Sequence, residues 1–211
     1  MIYDADTLKP EEFDNIPIFA NRGPLFELCM REVLPEGHLV ELGVYVGHSV
    51  NYLADLVPQR IFHGFDSFEG LPEAWVRTAG REVLNKGHFR MGKLPQVKSN
   101  VVLHKGWFSD TIPEWLVNNP GNVAFLHNDS DLYSSTIFAL RALDSRLVSG
   151  SIILFDELID WYPPDSQGRA RYGNWPDHEW KALKEWMGDC NRRVSLMGRT
   201  PFEQAVIRVE T

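Results

Sequence analysis

The chain alternates short apolar runs with longer amphipathic stretches. Apolar runs rich in β-branched and aromatic residues, bordered by polar or turn residues, predict strands at residues 38–42, 61–65, 100–104, 123–126 and 151–155. Helical spacing of apolar residues predicts helices between these strands, at residues 47–57, 110–119 and 133–148. This alternation is typical of a parallel sheet with crossover helices, so the predicted fold class is α/β.

The last third of the chain follows a different pattern. Residues 175–187 predict a helix, with Pro176 near its start and apolar residues at helical spacing. Residues 194–197 and 205–209 predict a hairpin around a Gly-Arg-Thr-Pro turn. Two stretches, 70–99 and 159–174, fit no regular element, and long insertions of this kind are typically lids or binding loops.

Composition narrows the class of protein. The chain has 211 residues, enough for one domain with a full core, and its 44% hydrophobic and 24% charged residues are ordinary for a globular protein. A net charge of -8 argues against binding to nucleic acid or anionic membranes, and no apolar run approaches the roughly 20 residues of a spanning helix. Cys29 and Cys190 match neither a disulfide framework nor a zinc site, so we expect a core thiol at Cys29 and a cytoplasmic protein.

Two of the predicted strands end in carboxylates. The strand at 123–126 runs into Asp129 and Asp131, and the strand at 151–155 runs into Asp156 and Glu157. Carboxylates at the ends of buried strands are costly unless a metal ion, an arginine or a substrate hydroxyl pairs with them. The two strand ends therefore predict one shared polar site.

The first predicted strand enters a loop that contains two glycines. Residues 41–49 read Glu-Leu-Gly-Val-Tyr-Val-Gly-His-Ser, without the lysine or the glycine spacing of a phosphate-binding loop. This pattern favours a cationic or neutral nucleoside over a pyrophosphate, and a tight strand-to-helix turn without a ligand is the alternative. Asp66, at the end of the second strand, can accept two hydrogen bonds from a ribose diol.

Together these motifs resemble the class I S-adenosylmethionine-dependent methyltransferases, specifically the macrocin O-methyltransferase family of macrolide sugar methyltransferases. The matching segments are, in order, 41–49, 65–72, 105–113, 129–136 and 150–157. The resemblance implies a Rossmann-like, mostly parallel seven-stranded sheet with a C-terminal antiparallel hairpin. It also implies a single domain, with an N-terminal helical cover (1–36), a cofactor- and metal-binding core (37–157), a substrate lid (158–178) and a C-terminal helix and hairpin (179–211).

The resemblance implies which residues bind S-adenosylmethionine. The first turn would hold the methionine end, the end of the second strand would hold the ribose, and an aromatic segment would lie against the adenine. Core packing is an equally good explanation for the two aromatic side chains of that segment. In order along the chain, the implied cofactor-binding residues are Glu41, Gly43, Gly47, Ser49, Asp66, Ser67, Gly106, Trp107 and Phe108.

The family's divalent metal, usually magnesium, would bind Asp129, Asp156 and Glu157. Hard divalent cations prefer several oxygen ligands and raise the acidity of a bound hydroxyl, which suits methylation of a vicinal diol. This chain has Asp-Ser-Asp and Asp-Glu where the family commonly has Asp-Gly-Asp and Asp-Asp, and Asn128 stands at a usually apolar position. Asp131 is expected to cap the following helix.

A base must take the proton of the acceptor hydroxyl. Asp129 and His178 are the predicted catalytic residues, and His127 is a further candidate base. The loop at 159–174 is expected to close over the acceptor with three aromatic residues suited to stacking on a sugar or ring, namely Trp161, Tyr162 and Tyr172.

The expected function is transfer of a methyl group from S-adenosylmethionine, with Mg²⁺, to a hydroxyl of a small molecule such as a sugar of a natural product. A catechol-type methyltransferase would use the same chelation on a flat aromatic diol. A non-catalytic module that binds S-adenosylmethionine is the third reading, which the Asp156-Glu157 pair in place of two aspartates keeps open. The resemblance is also compatible with a homo-oligomer.

Overall fold

The computed structural model describes residues 1–77 and 83–211 and has an α/β architecture. Its strands are β1 (Ile2–Tyr3), β2 (His38–Leu42), β3 (Phe62–Asp66), β4 (Trp75–Val76), β5 (Val83–Leu84), β6 (Val101–Lys105), β7 (Val123–Asn128), β8 (Leu147–Phe155), β9 (Val194–Arg199) and β10 (Ala205–Val209). Its α-helices are α1 (Arg22–Glu32), α2 (His48–Leu56), α3 (Phe108–Asn118), α4 (Tyr133–Leu143) and α5 (Glu179–Asp189). Short 3-10 turns cover Pro10–Asn15, Asp144–Arg146 and Trp175–Asp177.

The main sheet has eight strands in the order β1-β9-β10-β8-β7-β2-β3-β6, and β4 pairs with β5 in a separate ribbon. The block from β8 to β6 is parallel, whereas β10, β9 and β1 add in antiparallel fashion. The predicted α/β fold with a parallel core and a C-terminal hairpin is confirmed. The two-residue β1 is too short to give a sequence signal, and it extends the seven predicted strands to eight.

The strand order creates a crevice beside β2. The chain proceeds from β2 to β3 on one side and later returns to β7 on the other side. Ligands of open α/β sheets bind at the carboxyl ends of the strands where the order reverses in this way. The loops after β2 and β7 meet there, because Asp129 N donates to Leu42 O at 2.9 Å.

Helices cover both faces of the sheet. Helices α1 and α2 bury one apolar cluster, which includes the predicted core thiol Cys29, and α3, α4 and α5 bury the other. All six residues of β7 are buried, as expected for a strand covered on both faces. No helix in the described part of the chain exceeds 11 residues, and none is long and apolar enough to cross a membrane.

Three predicted elements differ from the observed ones. The helix predicted at 133–148 ends at Leu143, because Asp144 begins a 3-10 turn that leads into β8. The helix predicted at 175–187 is interrupted at His178, whose non-helical backbone (φ -111°, ψ -119°) separates a 3-10 turn from α5. The stretch at 70–99 contains the β4–β5 ribbon, although part of it lies outside the described residues.

A cluster of three histidines lies under α3 at the edge of the sheet. His63 Nδ1 lies 3.0 Å from His104 Nε2 and accepts a hydrogen bond from Trp115 Nε1 at 3.2 Å, and the His38 ring centroid is 5.4 Å from that of His63. Burial, followed by the charges of His104 and His38, lowers the pKa of His63 from 6.5 to about 4. The folded protein therefore binds this proton less readily than the unfolded chain does.

We predict that His63 makes the protein less stable in acid. Since the folded pKa lies below the unfolded value, its contribution is present above pH 6.5 and is lost as the pH falls towards about 4. His63→Asn keeps an acceptor for Trp115 and should reduce this acid-induced loss by about 1 kcal/mol, a value discounted for partial exposure. Urea unfolding at pH 7 and pH 4.5 measures the difference. His48→Asn, at an exposed position, is the control, and equal losses in both variants would contradict the prediction.

Candidate active site

A cavity of about 990 Å³ opens at the carboxyl ends of the parallel strands. The loops that follow β2, β3, β6, β7 and β8 all contribute to its lining, as the strand order requires. Six of the predicted cofactor-binding residues line it, namely Gly43, Asp66, Ser67, Gly106, Trp107 and Phe108. Three others, Glu41, Gly47 and Ser49, lie outside this lining.

Gly43 allows the loop between β2 and α2, residues 43–47, to pass directly against the loop after β7; we call it the cofactor loop after its predicted role. Its φ is +84°, a conformation that residues with a Cβ rarely adopt. A Cβ at this position would lie 1.8 Å from the carbonyl oxygen of Asp129. Only glycine fits here, so the close approach of the two loops depends on this residue.

Asp66 is held rigidly at the end of β3. Its Oδ2 accepts hydrogen bonds from the backbone N–H groups of Val44 and Tyr45 at 2.9 and 2.8 Å, and its Oδ1 accepts from Phe68 N at 2.6 Å. A carboxylate has about four acceptor sites, so one remains for a ligand hydroxyl. These bonds fix both the carboxylate and the backbone of the cofactor loop.

The aromatic segment after β6 combines both sequence interpretations. Trp107 and Phe108 line the cavity at the start of α3, and Phe108 also packs against the core. Phe108 therefore both lines the cavity and packs in the core, and its contact with a ligand stays a prediction.

A buried histidine connects the cofactor loop with the acidic strand ends. His127 is fully buried, its Nδ1 lies 2.9 Å from Glu41 Oε2, and its Nε2 lies 3.5 Å from Asp156 Oδ1. Glu41 Oε1 accepts a second hydrogen bond, from Ser49 Oγ at 2.9 Å. Glu41 and Ser49 therefore support the loop from behind, which explains why they are absent from the cavity lining.

His127 is protonated in this environment. Burial alone would lower its pKa, but the hydrogen bonds to Asp156 and Glu41 and the charges of Glu41 and Asp129 outweigh burial and raise the pKa to about 10. An imidazolium that two carboxylates hold cannot accept a further proton. Both ring nitrogens of His127 face carboxylates, which argues against His127 as the base.

Three carboxylates converge on the other side of Asp156. Asp129, Asp131 and Glu157 each place an oxygen within 4.8 Å of the others. Burial, and then the charge of Asp156, raises the pKa values of Asp129 and Glu157 well above their usual range. Glu157 Oε2 is buried and finds no hydrogen-bond partner within the described residues. A divalent cation held by Asp129 and Glu157 would supply the missing positive charge and a partner for Glu157 Oε2.

Asp131 belongs to this acidic set, and the prediction that it caps α4 is wrong. The capping position is Leu132, and α4 begins at Tyr133. Asp131 instead lines the cavity in a left-handed conformation, with φ of 63°. Burial and the charge of Asp156 raise its pKa to about 8. Its place as the second aspartate of the Asp-Ser-Asp motif was the one feature of the sequence that could have indicated this position in the cavity.

Asp156 has partners on both oxygens. Arg22 Nη1 donates to its Oδ2 at 2.9 Å, and His127 occupies the side of Oδ1. Burial opposes ionisation of Asp156, but the hydrogen bond to His127 and the charge of Arg22 keep its pKa below the usual value. Metal-binding carboxylates commonly carry such additional hydrogen bonds, so these contacts do not prevent Asp156 from binding a cation.

Glu179, at the start of α5, positions the two acidic strand ends. It is fully buried, and its Oε1 accepts a hydrogen bond from Asn128 Nδ2 at 2.5 Å while its Oε2 accepts from Glu157 N at 2.9 Å. Asn128 therefore brings a polar group next to the site, as its sequence position suggested. Nothing in the local sequence distinguishes Glu179 from an exposed helix residue, so sequence reasoning missed it.

Only one of the three predicted lid aromatics reaches the cavity. Tyr162 lines it, with its ring centroid 5.2 Å from that of Phe202. Trp161 turns towards the core, where its ring lies 5.8 Å from Phe13. Tyr172 is completely buried and accepts a hydrogen bond from Trp75 Nε1 at 3.3 Å. A residue without exposed surface cannot stack on an acceptor, so this geometry corrects the prediction for Tyr172.

His178, one of the two predicted catalytic residues, lies behind Tyr172. The two rings stack with centroids 6.0 Å apart, and His178 is outside the cavity lining. Burial lowers its pKa. The structure thus separates His178 from Asp129, the other predicted catalytic residue, which does line the cavity.

Comparisons with known proteins agree with this architecture. A curated relative from Streptomyces olivaceus, 8-demethyl-8-(2,3-dimethoxy-alpha-L-rhamnosyl)-tetracenomycin-C 4'-O-methyltransferase, is 31% identical over 154 residues, which are 62% of this chain and 58% of the relative. The chain thus matches somewhat more than half the length of that relative. The structure of the calicheamicin methyltransferase CalS11 has a TM-score of 0.67 and 27% identity, with 89% of this chain and 78% of that chain covered.

A more distant structure shares the fold. MycE methyltransferase from the mycinamycin biosynthetic pathway, in complex with Mg and SAH, has a TM-score of 0.56 and 14% identity, with 89% of this chain and 49% of that chain covered. The family model described as a methyltransferase domain matches residues 40–158, which is more than half of the chain. The match includes the cofactor loop, Asp66 and the acidic strand ends, and so confirms the resemblance read from the sequence motifs. The chain belongs to this methyltransferase domain family.

Proposed function

We propose that this protein is an S-adenosylmethionine-dependent O-methyltransferase that uses Mg²⁺ and acts on a sugar hydroxyl of a small natural product. The proposal rests on one observation: Gly43, Asp66 and the three carboxylates Asp129, Asp131 and Glu157 line the same cavity. The curated relative supports the choice of acceptor, because its name specifies 4'-O-methylation of a compound that carries a rhamnosyl group.

The cofactor half of the cavity is assigned to the loops after β2, β3 and β6. S-adenosylmethionine, when bound, supplies the methyl group as an electrophilic sulfonium. Asp66 offers its remaining acceptor site to a ribose hydroxyl, Gly43 permits close approach of the backbone, and Trp107 offers an aromatic face. Glu41 acts indirectly, through Ser49 and His127.

The metal half is assigned to Asp129, Asp156 and Glu157. A divalent cation, when bound, lowers the pKa of the acceptor hydroxyl. Arg22 and His127 hold Asp156 in position, and Glu179 holds the backbone of Glu157. These contacts hold the carboxylates close together. Burial alone would favour the protonated forms of Asp129 and Glu157, which do not bind a cation well.

Asp131 is assigned as the base in place of His178. It lines the cavity with a carboxylate oxygen within 4.8 Å of those of Asp129 and Glu157, and a general base must lie within hydrogen-bond reach of the acceptor hydroxyl. The left-handed backbone conformation holds its carboxylate in the cavity rather than over the end of α4.

Asp129→Asn should abolish methyl transfer but leave cofactor affinity nearly intact, because Asp129 is placed with the metal rather than with the nucleoside. Calorimetric titration with S-adenosylhomocysteine, with Mg²⁺ and with EDTA, measures cofactor affinity, and product formation from a sugar diol measures turnover. EDTA should stop turnover, and added Mg²⁺ should restore it. Loss of cofactor binding in Asp129→Asn would show that the residue is misassigned. Cofactor binding without turnover of any diol would identify a binding module instead.

Asp131→Asn should lower kcat by roughly 10²- to 10⁴-fold, the usual contribution of a general base, while Mg²⁺ affinity changes little. The two variants Asp129→Asn and Asp131→Asn therefore separate metal binding from proton transfer. Asp110→Asn, at an exposed position in α3, controls for the loss of one negative charge. Full activity of Asp131→Asn would exclude it as the base.

His127→Gln should destabilise the fold by about 3–5 kcal/mol, because it leaves the buried Glu41 without its cation and Asp156 with Arg22 alone. The free energy of unfolding in guanidinium chloride measures the loss. Adding Glu41→Gln removes one of those carboxylates, so the double variant should lose less than the sum of the two single variants. Strict additivity would show that the ion pair contributes nothing.

A further inference from the structure

The histidine cluster under α3 contains a cross-strand pair whose ring nitrogens converge. Strands β3 and β6 are parallel neighbours, and His63 lies opposite Val102 in their register. His104 stands two positions further along β6, so its side chain projects from the same face of the sheet as that of His63. His63 Nδ1 lies 3.0 Å from His104 Nε2. Both residues are half-buried and neither lines the cavity, so the pair is separate from the acidic strand ends.

Aromatic contacts hold both imidazole rings in place. The His104 ring stacks on Phe65, with centroids 4.4 Å apart and 17° between the planes, and the His63 ring meets the Trp115 ring edge-on at 5.2 Å. Burial lowers the pKa of both histidines below 6.5, that of His63 to about 4, so both rings are neutral at pH 7. A neutral, oriented imidazole can bind a metal ion without first losing a proton or much rotational freedom.

Two donors share one lone pair at the centre of this pair. An indole N–H can only donate, so Trp115 Nε1 donates to His63 Nδ1 at 3.2 Å, and that nitrogen carries no proton. The single lone pair of His63 Nδ1 must then also accept the proton on His104 Nε2. If the proton of neutral His104 moves to its Nδ1, the lone pairs of both facing nitrogens become available to one metal ion.

The spacing and the donor type suit a transition metal. Zinc binds histidine nitrogens at about 2.0–2.1 Å, so two nitrogens on one tetrahedral zinc ion lie about 3.3 Å apart, close to the observed separation. Imidazole favours zinc, nickel and copper over magnesium. Glu114, at an exposed position of α3, is near enough for its charge to act on His104 and is the available third ligand. His38 Nε2 is instead engaged by Pro120 O at 3.0 Å.

We propose that His63 and His104, with Glu114, form a binding site for a zinc-type transition-metal ion at the edge of the sheet. The ion ties β6, the last strand of the sheet, to β3 and α3. Strand β6 leads directly into Gly106 and Trp107, so the ion braces the strand that carries the aromatic segment of the cavity. This site does not depend on the proposed methyl transfer.

The test is calorimetric titration of chelator-treated protein with Zn²⁺ in an excess of Mg²⁺, which occupies the oxygen ligands of the cavity. His104→Phe keeps an aromatic ring on Phe65 but removes the nitrogens, and His63→Asn removes the imidazole. Each should weaken Zn²⁺ binding by about tenfold or more, since even partners of metal ligands contribute that much. His48→Asn, at an exposed position, is the control, and thermal unfolding checks that each variant is folded. No Zn²⁺ binding, or unchanged affinity in either histidine variant, would overturn the proposal.

A further variant distinguishes a metal site from a purely structural histidine pair. Trp115→Phe removes the N–H that competes for His63 Nδ1, so it should tighten Zn²⁺ binding about threefold to tenfold, the value of one hydrogen bond. Glu114→Gln should weaken binding, whereas Asp129→Asn should leave it unchanged. Loss of Zn²⁺ binding in Asp129→Asn but not in His104→Phe would place the ion in the cavity and overturn the proposed site.

Discussion

One buried ion-pair network connects the parts of this site. His127 contacts Glu41 on β2 and Asp156 after β8, and it stands on β7 between them, so three adjacent strands share one positive charge. The Phe26 ring, 5.3 Å from the His127 ring, excludes water from one side. Burial makes the cation costly, and the two carboxylates offset that cost only in this geometry. The cofactor loop and the acidic strand ends are therefore held in register by the same interaction.

Most of the sheet could be predicted because its strands are buried on both faces. The first four residues of β7, 123–126, are all apolar, as burial on both faces requires, and such a run is recognisable without knowledge of its neighbours. The element boundaries were less accurate where tertiary contacts decide them. Asp144 ends α4 early, and its Oδ1 accepts hydrogen bonds from Trp186 and Arg192, which lie more than 40 positions away in sequence. No local pattern contains that information.

The residues of the site also fall into those that a local sequence pattern predicts and those that tertiary contacts decide. Residues at strand ends, such as Asp66, Asp129 and Glu157, were found because parallel strands bring their carboxyl ends to one edge. The role of Asp131 depends on its left-handed backbone conformation, and that of Glu179 depends on how the distant helix α5 packs. The aromatic residues of the lid were chosen by residue type alone. Tyr172 shows the limit of that choice, since an aromatic side chain in a loop can complete the core as readily as it can meet a ligand.

The contacts of Arg22 and Glu179 have a consequence for the order in which the site matures during synthesis. Arg22 is synthesised 134 positions before its partner Asp156. Glu157 is in turn synthesised 22 positions before Glu179, which accepts a hydrogen bond from its backbone. Domains fold while they are synthesised from the N-terminus. The nascent chain therefore carries its cofactor loop well before the acidic ends are secured. A chain released before α5 would carry the cofactor loop but lack the contact of Glu179 with the backbone of Glu157.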